Sequence, residues 1–281
     1  MTVTNKMNLP EALVKAVSTE RHNKAGEYSA TTLLKDATEV ILSNRHFNEI
    51  EIDASDSIWQ IFGTAVHAIL ENQSDNTFKE EQFKVKVSNS VVTGRVDSYD
   101  MENEILADWK TASVWKVQFK DFSDWYKQGM IYAWLMKQSG LKVKRCRFIA
   151  LLKDHSKSKA RFDKEYPPKP VYEYQFDVTK KALAEIETYI FNKVKSFEEA
   201  EKIADSELPP CSKESRWASD DKFAAMKKGR KTALKLCDSE EEAKNYPGCE
   251  YVEFRKGESR KCSDYCTACK WCPFYNKEVA C

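Results

Sequence analysis

The sequence lacks the features that would carry the chain into or across a membrane. No run of about 18 apolar residues occurs, which is the length that a membrane-spanning helix requires. Residues 1–17 contain no apolar core of the kind that a secretory signal peptide has. We therefore expect an intracellular, cytoplasmic protein that does not bind membranes.

The sequence also lacks an excess of charge of either sign. Its 45 Lys and Arg residues nearly balance its 44 Asp and Glu residues, which leaves a net charge of +1. The overall charge gives no argument for binding to nucleic acid, and such binding would need local basic segments. Residues 222–235 and 254–262 are two such segments, although a solvated helix face and a charged loop explain them equally well.

Cysteine is absent from the first half of the chain. All 9 cysteines lie at or after Cys146, and one group is close to the C-terminus: Cys262, Cys266, Cys269, Cys272 and Cys281. A secreted disulfide framework would spread its cysteines along the chain, whereas a terminal cluster in a cytosolic chain is typical of metal binding. Four thiolates are needed to hold either Zn²⁺ or a [4Fe–4S] cluster.

Hydrophobic periodicity predicts an α/β fold with a mixed sheet. Helical spacing dominates up to about residue 75, where the period changes to two. The predicted elements that follow are strands at 83–87, 91–99 and 104–112, a helix at 124–140, strands at 145–153 and 171–178, and a long helix at 179–202. We expect a core domain over residues 1–205, with an N-terminal helical segment, and a helical, cysteine-rich, metal-binding module over residues 206–281 packed on it.

Two aspartates and a lysine lie in adjacent predicted strands. In the hairpin register expected from the turn between these strands, Asp97 faces Leu106 and Asp108 faces Arg95. Since side chains alternate along a strand, Asp97, Asp108 and Lys110 then share one face, with the two acids as diagonal neighbours. A slip of one residue would separate them.

Carboxylates that share one face of a sheet repel each other unless a cation lies between them. Mg²⁺ and Mn²⁺ suit such a site because both prefer oxygen ligands. A lysine beside the metal can orient or help deprotonate a water, or stabilise charge on a phosphate. The set suits metal-assisted hydrolysis of a phosphodiester; an exposed, salt-bridged hairpin is the alternative that an Asp-x-Lys segment alone more often represents.

Two pairs of polar residues lie four positions apart on predicted helices. His67 and Glu71 form one pair, and Gln128 and Tyr132 form the other, so each pair shares one helical face. His67 can ligate a metal, and Gln128 and Tyr132 could face a substrate. Taken alone, each pair is more typical of ordinary packing.

Four short motifs occur in a fixed order along the chain. They are GTAVH (63–67), GRVD (94–97), DWK (108–110) and QGMIY (128–132). This series resembles the RecB-type branch of the PD-(D/E)XK nucleases, whose members carry a Gly-x-x-x-His helix, a Gly-x-x-Asp strand, an Asp/Glu-x-Lys strand and a Gln-x-x-x-Tyr helix. The resemblance implies a restriction-endonuclease-like αβββαβ core, with a mixed central sheet flanked by helices and a small cysteine-rich module after it.

The resemblance also implies a role for each matching residue. His67, Asp97 and Asp108 would bind the metal together with the backbone carbonyl of Trp109. Lys110 would be the catalytic lysine, serving the water and the phosphate rather than forming a salt bridge with Asp108.

The same resemblance extends to substrate contacts. Gln128 and Tyr132 would help to position DNA, and Glu71 matches an acid often found after the histidine. DNA itself is implied as the substrate by the resemblance, not by composition.

The cysteine tail is similar to the C-terminal cluster of iron–sulfur members of this nuclease branch. Those members use three C-terminal cysteines and one cysteine upstream of the core, but this chain has no such upstream residue. The ligands implied here are Cys262, Cys266 and Cys272, with Cys211 as the fourth or Cys269 as its alternative. A [4Fe–4S] cluster and Zn²⁺ both remain open.

The sequence therefore predicts a Mg²⁺- or Mn²⁺-dependent deoxyribonuclease, acting as an exonuclease by attack of a metal-activated water. DNA is the expected partner, with a recombination or replication protein as a further one. A softer resemblance of residues 209–235 and 251–266 to nucleases of bacteriophages indicates a viral origin, hence the host cytoplasm. A non-catalytic nucleic-acid-binding protein on the same fold and a zinc-ribbon adaptor are the alternatives.

Overall fold

The computed structural model describes residues 1–18, 24–71 and 78–278, except for the side chains of residues 71 and 78–80. The chain forms two compact units, Met1–Lys202 and Ile203–Cys281. The predicted boundary after residue 205 lies close to this division. None of the described helices is both long and apolar enough to span a membrane.

The first unit contains short N-terminal strands and a large sheet with helices around it. Its strands are β1 (Thr2–Thr4), β2 (Glu27–Ser29), β3 (Glu51–Asp53), β4 (Phe78–Val87), β5 (Ser90–Asp100), β6 (Ile105–Ala112), β7 (Arg145–Leu152) and β8 (Val171–Asp177). Its helices are α1 (Glu11–Val17), α2 (Ala37–Arg45), α3 (Ile58–Glu71), α4 (Val114–Gln118), α5 (Ser123–Gln138), α6 (Lys157–Phe162) and α7 (Lys180–Ala200). The strands β1 to β3 are each three residues long, too short for a period-two pattern, and they were not predicted.

The large sheet is mixed, as predicted. Its strand order is β2-β5-β6-β7-β8, and β4 pairs with β5 in addition. The pairs β2–β5 and β6–β7 are parallel, whereas β4–β5, β5–β6 and β7–β8 are antiparallel. Apart from the short helix α4 between β6 and α5, the order α3-β4-β5-β6-α5-β7 along the chain is the αβββαβ arrangement expected from the sequence.

Helix α5 is the central element of the core, and two motif glycines let it approach the sheet. Nearly every residue of α5 from Gln128 to Met136 is buried. A Cβ atom on Gly94 of β5 would lie 2.6 Å from Leu135 and 2.8 Å from Tyr132 on this helix. A Cβ on Gly129 would lie 2.8 Å from the ring of Phe148 on β7. Both glycines therefore serve close packing between the helix and the sheet.

Helix α7 packs on α5 and α2 through an apolar face of helical period. Ile186, Ile190, Val194 and Phe197 follow one another at intervals of three or four residues and are buried. The helix begins at Thr179, whose hydroxyl accepts a hydrogen bond from the backbone N–H of Ala182. Burial of such a face is worth about 2 kcal/mol per large aliphatic side chain, which fixes α7 against the core.

The second unit differs from its prediction, because it is built on a sheet and not on a basic helix. The antiparallel strands β9 (Lys222–Met226), β10 (Lys235–Cys237) and β11 (Tyr251–Arg255) have the order β10-β9-β11. The short helices α8 (Glu240–Lys244), α9 (Arg260–Asp264) and α10 (Pro273–Glu278) accompany them. Ala and Met in residues 222–235 favour a helix locally, but cross-strand pairing overrides that weak preference, and Gly229 with a φ of 80° lies in the turn.

Candidate active site

The candidate site lies where two strands share one edge of β5. Strand β4 pairs along almost the whole of one edge, from Ser90 to Tyr99. On the other edge, β2 pairs with residues 91–93 and β6 pairs with residues 98–100. The stretch 94–97, which is the GRVD motif, thus falls between two neighbours. A side chain at its end can turn into the space where β2 and β6 diverge.

The β5–β6 register differs from the prediction by two residues. Leu106 pairs with Tyr99, where the sequence predicted Asp97. An even shift leaves every side chain on its predicted face, so Asp97 and Asp108 still share one face. Beyond Ser98 the strands separate, and Asp97 Oδ2 accepts a hydrogen bond from the backbone N–H of Trp109 at 2.8 Å. The carboxylate thereby takes the place of the next ladder acceptor.

Asp108 is almost completely buried, with 2% of its surface exposed. Burial raises the pKa of its carboxyl above the usual range, and the neighbouring Asp97 raises it further. The Lys110 ammonium opposes this shift from 2.7 Å, measured between Lys110 Nζ and Asp108 Oδ2. The sequence predicted that Lys110 would not pair with Asp108, but the structure shows this pair, since a buried carboxylate needs a nearby cation.

His67 reaches the site from helix α3. Its Nδ1 atom lies 3.2 Å from Asp97 Oδ1. The hydrogen bond to Asp97 raises the pKa of the imidazole, and the negative charge of Asp108 acts in the same direction, whereas burial opposes both. Gly63, on the same helix, faces Thr111 of β6, because a Cβ there would lie 3.8 Å from the threonine hydroxyl. Helix α3 therefore places its histidine beside β5 while it contacts β6.

Helix α5 places the side chains of Gln128 and Tyr132 next to Asp108, and Gln128 makes the contact with its carboxylate. Gln128 Nε2 donates to Tyr132 Oη at 2.9 Å and lies 3.5 Å from Asp108 Oδ1. The two side chains are only 6% and 7% exposed. They form a buried polar network that orients Asp108, and their predicted contact with DNA stays a prediction.

The donor set of the site has the chemistry that suits a hard divalent cation. Asp108 Oδ2 is buried without an aligned hydrogen-bond donor, and its neighbour is the Lys110 ammonium. Two carboxylates and an imidazole are suitable ligands for Mg²⁺ or Mn²⁺. Over residues 1–18, 24–71 and 78–278, no three His, Cys, Asp or Glu side chains converge closely enough to hold a metal. The Glu71 side chain lies outside the described residues.

The site opens into a cleft with a volume of about 1120 Å³. His67 and Asp97 line it, as do three residues that sequence reasoning missed, Trp59, Arg95 and Lys153. Arg95 lies inside the GRVD motif and Lys153 directly follows β7. The position of Arg95 within a motif was the only signal in the sequence for any of the three.

Tight turns connect the tail cysteines in the second unit, although their side chains do not converge as a metal-ligand set over the described residues. The backbone N–H of Cys269 donates to the carbonyl of Cys266, and that of Cys272 donates to the carbonyl of Cys269. Burial raises the pKa of the Cys262 thiol, with a further contribution from Cys272 and a smaller one from Cys269. Cys211 is linked to the tail through Arg216. The Arg216 side chain donates to the carbonyl of Cys211, and the Arg216 carbonyl accepts from the backbone N–H of Lys261, next to Cys262. The cysteines of the described chain form no disulfide, and Cys281 lies outside it.

We expect Asp108→Asn to stabilise the protein at pH 8, measured without divalent metal, by up to about 3 kcal/mol. The pKa of Asp108 is raised to about 6 in the folded state. The folded protein therefore loses stability as the pH rises from the ordinary Asp pKa to about 6, and the loss remains in full above pH 6. Asparagine removes this cost, so the gain should be large at pH 8 and small at pH 4. Denaturant unfolding at both pH values measures it.

Asp100→Asn provides a control of opposite sign. Hydrogen bonds from Asn103 hold the pKa of Asp100 below its usual range, so its carboxylate stabilises the protein at neutral pH. The Asp100 variant should lose stability at pH 8. A loss of stability in Asp108→Asn as well would contradict the assignment of a destabilising buried charge.

Comparison with known proteins adds little to this geometry. No protein-family model and no curated protein matches the chain. Solved structures similar to it include SSO0001 (16% identity, 65% of this chain and 81% of that one, TM-score 0.44), a phage related exonuclease from Haemophilus somnus 129PT (12%, 62% and 94%, 0.38) and the alkaline exonuclease LHK-Exo from Laribacter hongkongensis (13%, 63% and 90%, 0.40). At such scores, these similarities carry no argument about the activity of this chain.

Proposed function

We propose that this protein is a metal-dependent deoxyribonuclease of the PD-(D/E)XK type, acting as an exonuclease. The observation that carries the proposal is the meeting of Asp97, Asp108, Lys110 and His67 where β2 and β6 diverge on the edge of β5. A buried acid of raised pKa beside a lysine, in a cleft, is typical of a functional site.

Asp97, Asp108, His67 and the backbone carbonyl of Trp109 would hold the metal. Bound there, Mg²⁺ or Mn²⁺ would supply Lewis-acid activation of a water and neutralise charge on the phosphate. The Trp109 N–H fixes Asp97, and Gln128 lies against Asp108, so both carboxylates are oriented before any ligand arrives.

Lys110 is the group that would act on the substrate. Its ammonium lies against Asp108, and a divalent cation at the carboxylates would replace it in neutralising that acid. The ammonium, 23% exposed, could then orient a water or stabilise charge on the phosphate. In this proposal, the Lys110–Asp108 pair is broken when a divalent cation binds to the carboxylates.

A second function is favoured by the same ion pair. If the pair persists when nucleic acid binds, the carboxylates stay neutralised and the protein binds DNA without cleaving it. This is the non-catalytic alternative on the same fold. It predicts binding of DNA with no metal-dependent hydrolysis.

The cysteine cluster is proposed as a structural metal site, with a [4Fe–4S] cluster or Zn²⁺ as the occupant. Cys272 and Cys269 both contribute to the raised pKa of the Cys262 thiol, which supports the purely local ligand set in which Cys269 replaces Cys211. Buried thiols of raised pKa release protons when they bind a metal, so occupancy should increase with pH. DNA, and a recombination or replication protein, remain the proposed partners in a cytoplasmic setting.

A cleavage assay with three metal conditions tests the proposed function. The full chain is incubated with end-labelled linear DNA and with covalently closed circular DNA, in Mg²⁺, in Mn²⁺ and without divalent metal. We expect the linear DNA to be degraded only with metal and the circle to survive, since an exonuclease needs an end. Nicking of the circle would change the activity to an endonuclease, and intact DNA in every condition, together with binding, would establish the non-catalytic alternative.

A further inference from the structure

An exposed tryptophan lies in the same cleft as the candidate catalytic groups. Trp59 is on the first turn of α3 and is 58% exposed, although tryptophan is one of the largest apolar side chains. It lines the cleft together with His67 and Asp97. The ring of Phe62, itself 50% exposed, lies 5.3 Å from that of Trp59 between centroids. The cleft thus has an aromatic region that the proposed chemistry does not use.

Cations accompany this aromatic region. The Lys153 ammonium lies 4.3 Å from the centroid of the Trp59 ring, within the range of a cation–π contact. The backbone of Lys153 is fixed because its N–H donates to the carbonyl of Ala112, the last residue of β6. Exposed Arg95 lines the cleft as well. Aromatic faces beside Lys and Arg are the combination that binds the bases and phosphates of single strands.

The distance along α3 suits a strand that passes from the aromatic region to the candidate catalytic groups. Trp59 and His67 are eight residues apart on this helix, which corresponds to about 12 Å of axial rise. Successive phosphates of one strand rise by about 3.4 Å along the axis of B-form DNA, and an extended single strand spaces them farther apart, so the interval spans roughly two or three nucleotides. One strand could therefore contact Trp59 and reach the carboxylates at the same time.

We propose that Trp59 and Lys153 form a nucleotide subsite that stacks an unpaired base of the strand entering the cleft. Bases inside a duplex have both faces covered by their neighbours, so only a single strand or a frayed end can offer a face to the indole. The inference rests on the proposed function and names its substrate class as single-stranded DNA or frayed DNA ends. Lys153 contacts the adjoining phosphate.

Binding measured without cleavage tests the subsite. Fluorescence anisotropy of labelled single-stranded oligonucleotides is recorded without divalent metal, for the full-length wild type, Trp59→Ala and Trp59→Phe. We expect Trp59→Ala to weaken binding about tenfold, in line with the loss of one stacked base. Trp59→Phe should restore most of the affinity, and Phe191→Ala, which removes an exposed ring of α7, should leave it unchanged.

Three further measurements distinguish base stacking from a contribution of charge or of protein stability. An oligonucleotide with abasic positions retains its phosphates, so wild type and Trp59→Ala should bind it equally. Lys153→Ala should lower the slope of log affinity against log salt by about 1. Blunt duplex DNA should bind the Trp59→Ala variant as it binds the wild type.

Equal loss on normal and abasic strands would overturn the proposal, because stacking would not be the cause. A change in molecular mass by light scattering, with unchanged DNA binding, would also overturn it and assign Trp59 to a contact between copies of the chain. Cleavage by the wild type with normal binding by Trp59→Ala would reject the subsite alone. Trp59-dependent binding without any cleavage would reject the nuclease alone.

Discussion

Lys110→Ala is expected to fold normally and to lose about a thousandfold in the rate of metal-dependent DNA cleavage. The Lys110 side chain is partly exposed, so its removal leaves the core packing intact, and the buried Asp108 carboxyl that loses its cation can take up a proton instead. What disappears is the cation that contacts Asp108, and with it the charge that would act on water and phosphate. The first-order rate on end-labelled linear DNA in Mg²⁺ measures the loss.

Lys116→Ala is a control matched to Lys110→Ala in the lysine's exposure and ion-pair distance, but its partner Asp124 is exposed whereas Asp108 is buried. Lys116 Nζ lies 2.6 Å from Asp124 and its side chain is 24% exposed, against 2.7 Å and 23% for Lys110. Both lysines also lie over an aromatic ring of the core. The Lys116 variant should cleave as the wild type does. Full activity in Lys110→Ala would reject the proposed catalytic role, and an equal loss in both variants would indicate a general effect on stability.

Cys272→Ala is expected to abolish metal binding in the second unit and to unfold its C-terminal turns. A structural metal contributes roughly 10 kcal/mol of binding free energy to a small module, far more than the short helices α9 and α10 could supply. Cys272 is buried, and its thiol influences that of Cys262. Iron and zinc are measured per chain in protein purified without oxygen, and limited proteolysis reports the order of the tail.

Cys249→Ala is the control for the cysteine experiment. Cys249 belongs to the same unit but lies beside β11, where its Sγ contacts the carbonyl of Tyr251, outside the tail. It should retain the full metal content. Comparison of Cys211→Ala with Cys269→Ala then identifies the fourth ligand. Wild-type protein with neither iron nor zinc would contradict the metal site.

Much of the first unit could be predicted because its signals are local. The strand that contains GRVD and the helix that contains QGMIY each have a clear period of apolar residues, and the order of the motifs predicts the order of the elements. The glycines of both motifs have a packing reason that the sequence could not show, because Gly94 and Gly129 face side chains far along the chain.

The remaining features depend on pairings between distant segments. The β5–β6 register differs from the predicted register by two residues, because Asn103 hydrogen-bonds to Asp100 and the turn lies later in the chain than predicted. Residues 222–226 became a strand because 251–255 pairs with them, which no helical propensity can reveal. Trp59 and Lys153 meet although nearly a hundred residues separate them, so their contact had no signal in the sequence.

The shared edge of β5 also affects how the chain avoids association. A sheet edge that is left open can pair with the edge of another molecule, and proteins usually cover such places. Here the place where β2 and β6 diverge is the one that the proposed catalytic centre would need open, and helix α3 contacts both β5 and β6. Helix α3, which supplies His67, thus also covers part of that opening. The same helix would position a metal ligand and keep the open edge from pairing with another molecule.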